Sequence, residues 1–258
     1  AHVGVLKELT PRGISISNMA GTSAGALIGG LYASGVEPRQ MEAILYDLHF
    51  YKMVDFEVGK QGLAGQRIYD HLLRLTEGKH FSDLRIPFAV ICVDLVSGTL
   101  VTIRSGEVAK ALRASISLPG ILAPVESGNR LLVDGYVLNN NPADVVKSMG
   151  AKIVVAVEVS RLSKERSSHV LSHLSRYLSI ASQCMTDRLL KEHADLIIDV
   201  NLSHIGRFQL KAIPETTALG ELAARRIFDA AVERTVNLQQ YRRPPPRSAP
   251  FFPLDHVD

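Results

Sequence analysis

Several kinds of site are missing from this sequence of 258 residues. It has no HExxH motif, no paired CxxC motifs and no P-loop, so metal-dependent and nucleotide-dependent chemistry are disfavoured, and no cofactor or metal is expected. Its two cysteines, Cys92 and Cys184, lack metal-ligand spacing and predict buried free thiols rather than a disulfide framework. The net charge is +3 with scattered basic residues, which argues against nucleic acid as a partner.

Long apolar runs that would cross a membrane or direct secretion are also missing. The stretch 14–36 carries no charged residue, but it is too rich in glycine, serine, asparagine and threonine to be a convincing span. No run resembles a signal peptide, and the chain opens at Ala1 inside an amphipathic segment. We therefore expect a cytoplasmic protein, or one peripheral at a membrane, whose natural N-terminus is not visible.

Helical and strand-like periodicities alternate along the chain, which is the pattern of an α/β fold. We predict three α/β/α layers around a mostly parallel central sheet, with one hairpin turning at Ser97-Gly98. One domain over residues 1–241 and a proline-rich tail over 242–258 are expected. Helices are predicted at 2–9, 24–34, 38–48, 66–76, 107–114, 142–149, 168–191 and 215–237, and strands at 14–20, 87–95, 99–104, 130–134, 152–159 and 195–200.

A GxSxG motif, Gly21-Thr22-Ser23-Ala24-Gly25, falls where a β-leaning stretch gives way to a helical one. In a strand-turn-helix elbow, a serine is held in a tight turn with its hydroxyl clear of the backbone. Free N–H groups at the start of the helix can then stabilise an oxyanion. The motif predicts Ser23 as a nucleophile, with Gly21, Ala24 and Gly25 as elbow and oxyanion residues. A plain glycine-rich turn is the alternative interpretation.

A second distinctive segment delivers an aspartate onto a glycine turn. Residues 131–135 read LLVDG, an apolar strand that ends at Asp134 and Gly135. Because α/β folds assemble their sites at strand ends, Asp134 is the candidate base for Ser23. The alternative is an Asp-Gly turn that caps a strand and has no catalytic role.

Together these motifs resemble the patatin-like phospholipases, particularly the bacterial branch related to neuropathy target esterase. The resemblance runs from Ala1 to about Val236 through AHVGVLKEL, AGTSAGALIGGLYASG, IPFAVICVDLVSGTLV, RASISLPGILAPV, LLVDGYVLNNNPADVVKSMGA and HADLIIDVNLSHIGRFQ, in that order. It implies a dyad of Ser23 as nucleophile and Asp134 as base, with no histidine. The implied reaction is cleavage of phospholipid or lysophospholipid acyl esters through an acyl-serine, with peripheral membrane contact.

The sequence departs from the family pattern at two places. Family members usually carry a strand and a glycine-rich stretch before the AHVGVLKEL-like helix, and the N–H groups of that stretch form the oxyanion hole. We therefore expect residues 1–241 to be a patatin-like hydrolase domain without that strand and loop. The other departure is Tyr136, which replaces a small residue and is expected to reshape the pocket. Ser115, Pro119, Gly135 and Tyr136 are the expected lining of the site.

Two rival functions remain open from the sequence. One is a conventional triad hydrolase, which needs a histidine after the acid; the candidates are His169, His173, His193, His204 and His256. The other is a catalytically weak or inactive lipid-binding module with the same fold, because the sequence lacks the oxyanion loop. Loss of activity in an Asp134→Asn variant, with activity kept in every histidine variant, would favour the dyad over the triad.

Overall fold

The computed structural model describes residues 1–47, 58–59, 62–63, 65–159, 170–206 and 209–241. Its helices are α1 (His2–Leu9), α2 (Ala24–Ser34), α3 (Pro38–Asp47), α4 (Gln66–Leu75), α5 (Val108–Ser115), α6 (Ala143–Ser148), α7 (Val170–His193) and α8 (Ile213–Tyr241). Its strands are β1 (Met19–Thr22), β2 (Val58–Gly59), β3 (Gly62–Leu63), β4 (Phe88–Asp94), β5 (Thr99–Ile103), β6 (Val125–Ser127), β7 (Arg130–Asp134), β8 (Val155–Glu158) and β9 (Leu196–Asp199). Short 3₁₀ turns occupy Phe81–Asp83, Gly135–Val137 and Leu210–Ala212. The predicted tail, 242–258, lies outside the described residues.

The central sheet has five strands and is mixed rather than mostly parallel. β1 runs parallel to β4, whereas β5 and β7 are antiparallel to β4 and β6 is antiparallel to β7. Two of these three antiparallel pairs, β4 with β5 and β6 with β7, are hairpins, because a short turn can join only antiparallel neighbours, whereas β4 and β7 are distant in sequence. One turns at Ser97-Gly98, as predicted, and the other turns at Gly128 with φ of 60°, between strands of which only β7 was predicted. β8 and β9 form a separate parallel pair.

Helices cover both faces of this sheet, so the predicted three-layer α/β/α architecture is confirmed. Side chains alternate along β4, as in any strand. Three of them, Phe88, Val90 and Cys92, enter a core shared with α2, α4 and α5. The intervening Ala89 and Ile91 pack on the opposite face against α6, through Val145. Because both faces are apolar, β4 is buried along nearly its whole length.

The register of β4 brings the ends of two other strands together. β5 pairs with Val90–Asp94 and overlaps both β1 and β7 along β4, so β1 and β7 must share the other edge. The last residue of β1, Thr22, lies opposite Ile91. The last residue of β7, Asp134, lies opposite the next position, Cys92. The carboxyl ends of two strands that are distant in sequence therefore meet at one point.

Local boundaries follow the chemistry of the sequence closely at the predicted helix ends. α1 and α2 occupy the predicted residues, and Gly13, Gly35 and Gly150 adopt positive φ angles of 65°, 106° and 93° beyond helices. The strand predicted at 14–20 is shorter and later, since β1 begins only at Met19.

Cys92 is buried as expected, whereas Cys184 is exposed, so the expectation that both thiols are buried was wrong for Cys184.

Candidate active site

Ser23 is the turning point of a strand-turn-helix elbow. It connects β1 to α2 with φ of 54° and ψ of −122°, a conformation that is strained for a residue with a side chain. Among the described residues, Glu77 is the other non-glycine residue with positive φ. The Ser23 carbonyl already accepts the first hydrogen bond of α2, from the Leu27 N–H at 3.0 Å. Ser23 itself is half-buried, which leaves it accessible from one side.

The side chain of Ser115 supports this elbow from the protein interior. Its hydroxyl oxygen accepts a hydrogen bond from the Ser23 N–H at 3.0 Å and donates one to the Ile91 carbonyl at 2.7 Å. Ser115 is fully buried and lies at the end of α5. It therefore supports the backbone of the elbow from α5 and β4, and it is not among the residues that line the cleft described below.

The two glycines of the motif have different structural roles. A Cβ atom on Gly21 would lie 2.4 Å from the Gly25 carbonyl carbon and 2.5 Å from the Ala26 nitrogen, so only glycine lets α2 pack this closely on β1. A Cβ atom on Gly25 would lie 3.6 Å from Nε2 of His2, which is ordinary contact. Gly21 is thus required by packing, whereas Gly25 leaves the surface around the elbow open.

Asp134 ends β7 beside the elbow and is 3% exposed. Its Oδ1 accepts a hydrogen bond from the Tyr136 N–H at 2.9 Å, and its own N–H donates to the Ser117 carbonyl at 3.1 Å. Gly135 is needed next to it, because a Cβ atom there would lie 2.8 Å from the Ile91 oxygen. The carboxylate therefore caps a turn, as the simpler interpretation expected, and also faces the cleft.

Tyr136 connects the aspartate turn to α7. Its phenol donates a hydrogen bond to Oγ of Ser179 at 2.6 Å, and its carbonyl accepts one from Oγ of Ser182 at 2.6 Å. The contact with Asp134 is made by the backbone N–H of Tyr136. The large side chain thus extends along the wall of the site toward α7, where a small residue would leave α7 without this contact.

A cleft of about 1470 Å³ opens beside the elbow, between β1 and β8. Of the predicted site residues, Gly21, Ser23, Ala24, Gly25, Asp134 and Tyr136 line it. Ser115, Pro119 and Gly135 are not among its lining residues; Pro119 is exposed in the turn after α5, and its neighbour Leu118 lines the cleft instead. In the described part of the chain, β1 and β8 each pair on one edge only, with β4 and β9, and their other edges border this cleft.

Sequence reasoning missed His2 and Thr22. His2, the first residue of α1, lines the cleft near Gly25, and burial lowers its pKa to about 4, so its ring is neutral at pH 7. Thr22 donates a hydrogen bond from Oγ1 to the Asn139 carbonyl at 2.7 Å and ties β1 to the loop that follows Asp134. No spacing rule reveals these contacts, because Thr22 and Asn139 are 117 positions apart and His2 approaches Gly25 from a different helix.

The histidines proposed for a triad are placed as follows. His173 lines the cleft from α7. His193 lies beside Glu192, and Nε2 of His204 lies 3.0 Å from Glu215; neither histidine is among the lining residues. His169 and His256 lie outside the described residues.

The thiol of Cys92 lies close to Asp134 but is not a candidate nucleophile. Burial and then the neighbouring Asp134 carboxylate raise the pKa of Cys92 to about 12, so this thiol stays protonated and is a poor nucleophile. The described ranges contain no group of three or more histidine, cysteine, aspartate or glutamate residues suited to a metal ion. They also contain no helix with the length and apolar character that a membrane span requires.

Comparison with known proteins places this arrangement in a family. An uncharacterised NTE family protein of Mycobacterium tuberculosis is 32% identical over 163 residues, which are 62% of this chain and 45% of that protein. The patatin-like phospholipase domain-containing protein 6 of Mus musculus is 32% identical over 168 residues, 62% of this chain and 12% of that protein. The chain thus spans less than half the length of these curated relatives.

The fold itself recurs in VipD from Legionella pneumophila, whose crystal structure matches 89% of this chain and 64% of that chain with a TM-score of 0.62 at 13% identity. The family model described as Patatin-like phospholipase matches residues 1–147, which include both Ser23 and Asp134. This chain therefore belongs to the patatin-like phospholipase family.

Proposed function

We propose that this protein is a serine hydrolase that cleaves lipid acyl esters with Ser23 as nucleophile and Asp134 as base. One observation carries the proposal: a strained serine elbow at the end of β1 and a buried aspartate at the end of β7 abut along the same edge of β4. Both residues line one cleft. Covalent catalysis needs a base beside its nucleophile, and two adjoining strand ends that carry a serine and an aspartate support that assignment.

The proposed reaction has two steps that mirror each other. Asp134 accepts the hydroxyl proton of Ser23 while Oγ attacks the carbonyl carbon of the ester. The tetrahedral intermediate collapses, the bond to the alcohol breaks, and the alcohol leaves with the proton that Asp134 held. Water then attacks the acyl-serine with Asp134 again taking the proton, which releases the carboxylic acid and returns a proton to Ser23. Since a free aspartate is a weak base, with a pKa of about 3.9, alignment matters most here.

Oxyanion stabilisation starts from the first amides of α2, which follow Ser23 directly at Ala24 and Gly25. The cleft supports a further contribution. The free edges of β1 and β8 border it, and such edges are templates for pairing with another strand. A strand and glycine-rich loop of the kind typical of the family would fit along these edges and bring more N–H donors beside Ser23.

Phospholipid or lysophospholipid is the proposed substrate, with peripheral contact to the membrane that holds it. Family membership supports a lipid substrate in general. A catalytically inactive lipid-binding module of the same fold is the competing proposal, since family membership supports a lipid ligand for either function.

Steady-state hydrolysis of a short-chain p-nitrophenyl ester separates these functions. Ser23→Ala should abolish turnover, and Asp134→Asn should reduce kcat/KM by at least about a hundredfold, the lower range of general-base contributions. Asp94→Asn is the matched control, since Asp94 also ends a strand and is buried. Its carboxylate accepts hydrogen bonds from Leu131 of β7 and from Val96 and Ser97 of the turn after β4, and it does not line the cleft.

Three results decide between the candidates. The dyad requires that Asp94→Asn, corrected for its folded fraction, keeps activity within a few-fold of the parent. If His2→Ala or His173→Ala instead loses activity while Asp134→Asn keeps it, a histidine is the base and the dyad is wrong. Absence of turnover in the parent, together with retained lipid binding, would favour the non-catalytic module.

A further inference from the structure

Between Leu174 and Thr186, the helix α7 is amphipathic in the reverse sense of an ordinary surface helix. Its buried positions include Ser182 and Thr186, which are 2% and 1% exposed. Its outward positions are apolar: Leu174 is 56% exposed and Tyr177 is 70% exposed. A helix on a protein surface normally buries its apolar stripe and exposes its polar one. The outward face of α7 is therefore built to meet an apolar environment.

This face is continuous along the helix. Its residues recur at the spacing of one side of an α-helix, so they form one stripe more than three turns long. We call it the outer face of α7; its exposed members are Leu174, Tyr177, Leu178, Ala181, Cys184 and Met185, with Ile180 at its border. Contiguous exposed apolar surface of this kind is uncommon on soluble monomers and marks an interaction site.

Polar contacts on the inward side keep the outer face pointing outward. Tyr136 and Ser179 share a hydrogen bond, and Ser182 donates to the Tyr136 carbonyl. Rotating α7 to bury its apolar stripe would break both bonds and leave buried polar groups without their partners. The same contacts join the helix to the turn that carries Asp134, so the outer face has a fixed position relative to the site.

The charges on α7 distinguish between the surfaces it can meet. From Val170 to Thr186 the sequence holds no acidic residue, and its one arginine, Arg176, lines the cleft. The ten preceding residues, 160–169, carry three basic residues against one glutamate. An apolar helix face that includes a tyrosine, in a segment with basic and no acidic residues, is typical of helices that lie in the interface of anionic membranes.

We infer that the outer face of α7 is the surface by which this protein docks on a bilayer that contains anionic phospholipid. Arg176, Ser175 and Ser179 line the cleft from the adjacent side of the same helix. A lipid that leaves the bilayer beside α7 thus meets the mouth of the proposed site without crossing open water. The choice of a lipid partner rests on the proposed function; the apolar stripe and its charge do not.

Vesicle binding tests the docking surface separately from catalysis. Vesicles of phosphatidylcholine with about a third phosphatidylglycerol are sedimented with the parent protein and with a Leu174→Ser, Tyr177→Ser double variant. The double variant should partition onto them at least about tenfold more weakly, since two large apolar side chains no longer enter the interface. Leu222→Ser is the matched control, because Leu222 is 43% exposed on a different helix, α8, and its loss should not change binding.

A second readout uses the thiol already present on this face. Cys184 is exposed and free, whereas Cys92 is buried, so an environment-sensitive dye attaches selectively to Cys184. The dye emission should shift to shorter wavelength when anionic vesicles are added and should shift less with vesicles of phosphatidylcholine alone. An unchanged spectrum, together with unchanged sedimentation of the double variant, would overturn the inference.

Two further arms separate the possible failures. The double variant should keep the turnover of the soluble p-nitrophenyl ester, and Ser23→Ala should bind vesicles like the parent. If the parent hydrolyses no ester, the proposed function fails, but the vesicle-binding result remains valid. Light scattering gives the remaining alternative. A parent dimer that becomes monomeric in the double variant, and that does not bind vesicles, would show that the outer face joins two copies of this chain.

Discussion

The packing of the elbow predicts opposite outcomes for two chemically identical substitutions. In Gly21→Ala the new Cβ would lie within 2.5 Å of three backbone atoms of Gly25 and Ala26. Backbone atoms at the start of α2 cannot move aside as a flexible side chain can, so we place the cost at the upper end for overpacking, about 3 kcal/mol. In Gly25→Ala the Cβ meets only His2 at 3.6 Å. Alanine also favours helix, so the free energy of unfolding should rise by up to about 1 kcal/mol.

Urea unfolding followed by far-UV circular dichroism measures this difference. With an m-value of about 3 kcal/mol/M, the Gly21→Ala midpoint should fall by about 1 M, while the Gly25→Ala midpoint should stay or rise slightly. Equal midpoints for parent and Gly21→Ala, or an equal loss in both variants, would refute the argument that only the first glycine of the motif is required by close packing.

Three other predictions follow from individual contacts. Ser115→Ala removes the hydroxyl that bonds the Ser23 N–H and the Ile91 carbonyl, so the free energy of unfolding, measured in urea, should fall by about 1–3 kcal/mol. The kcat for ester hydrolysis should fall as well, and an unchanged kcat would argue against the support of the elbow by Ser115. Iodoacetamide at pH 8 should modify Cys184 and spare Cys92, whose pKa is raised to about 12 by burial, as peptide mass mapping will report. Hydrogen bonds hold the pKa of Asp94 below its usual value, so its contribution to the free energy of unfolding is present above about pH 4 and is lost as pH falls through the lower folded-state pKa. In Asp94→Asn, the free energy of unfolding, measured in urea at successive pH values, should decrease less on acidification.

Much of the local structure could be predicted because it depends on local chemistry. Glycines with positive φ end helices where the sequence places them, and the GxSxG motif marks the strand-helix junction that forms the elbow. The apolar run before Asp134 predicted both ends of β7 correctly. These features require only neighbouring residues, so a single sequence contains the information.

The rest depends on pairing between distant segments. The direction of β7 relative to β4 is set by how these two distant segments pair, and an apolar strand has the same sequence pattern whether it runs parallel or antiparallel to its neighbour. The role of Ser115 was likewise out of reach, since its hydroxyl joins an amide 92 positions away. The exposed outer face of α7 escaped prediction because helical periodicity shows that one side is apolar and does not show which side faces the core.

The central claim is that Ser23 is the nucleophile, and covalent labelling tests it most directly. The folded protein is reacted with a fluorophosphonate probe, and intact mass followed by peptide mapping locates the adduct. We predict one adduct on Ser23 in the parent, none in Ser23→Ala, and much slower labelling in Asp134→Asn. An adduct on another residue, or labelling that persists undiminished in Ser23→Ala, would contradict the account.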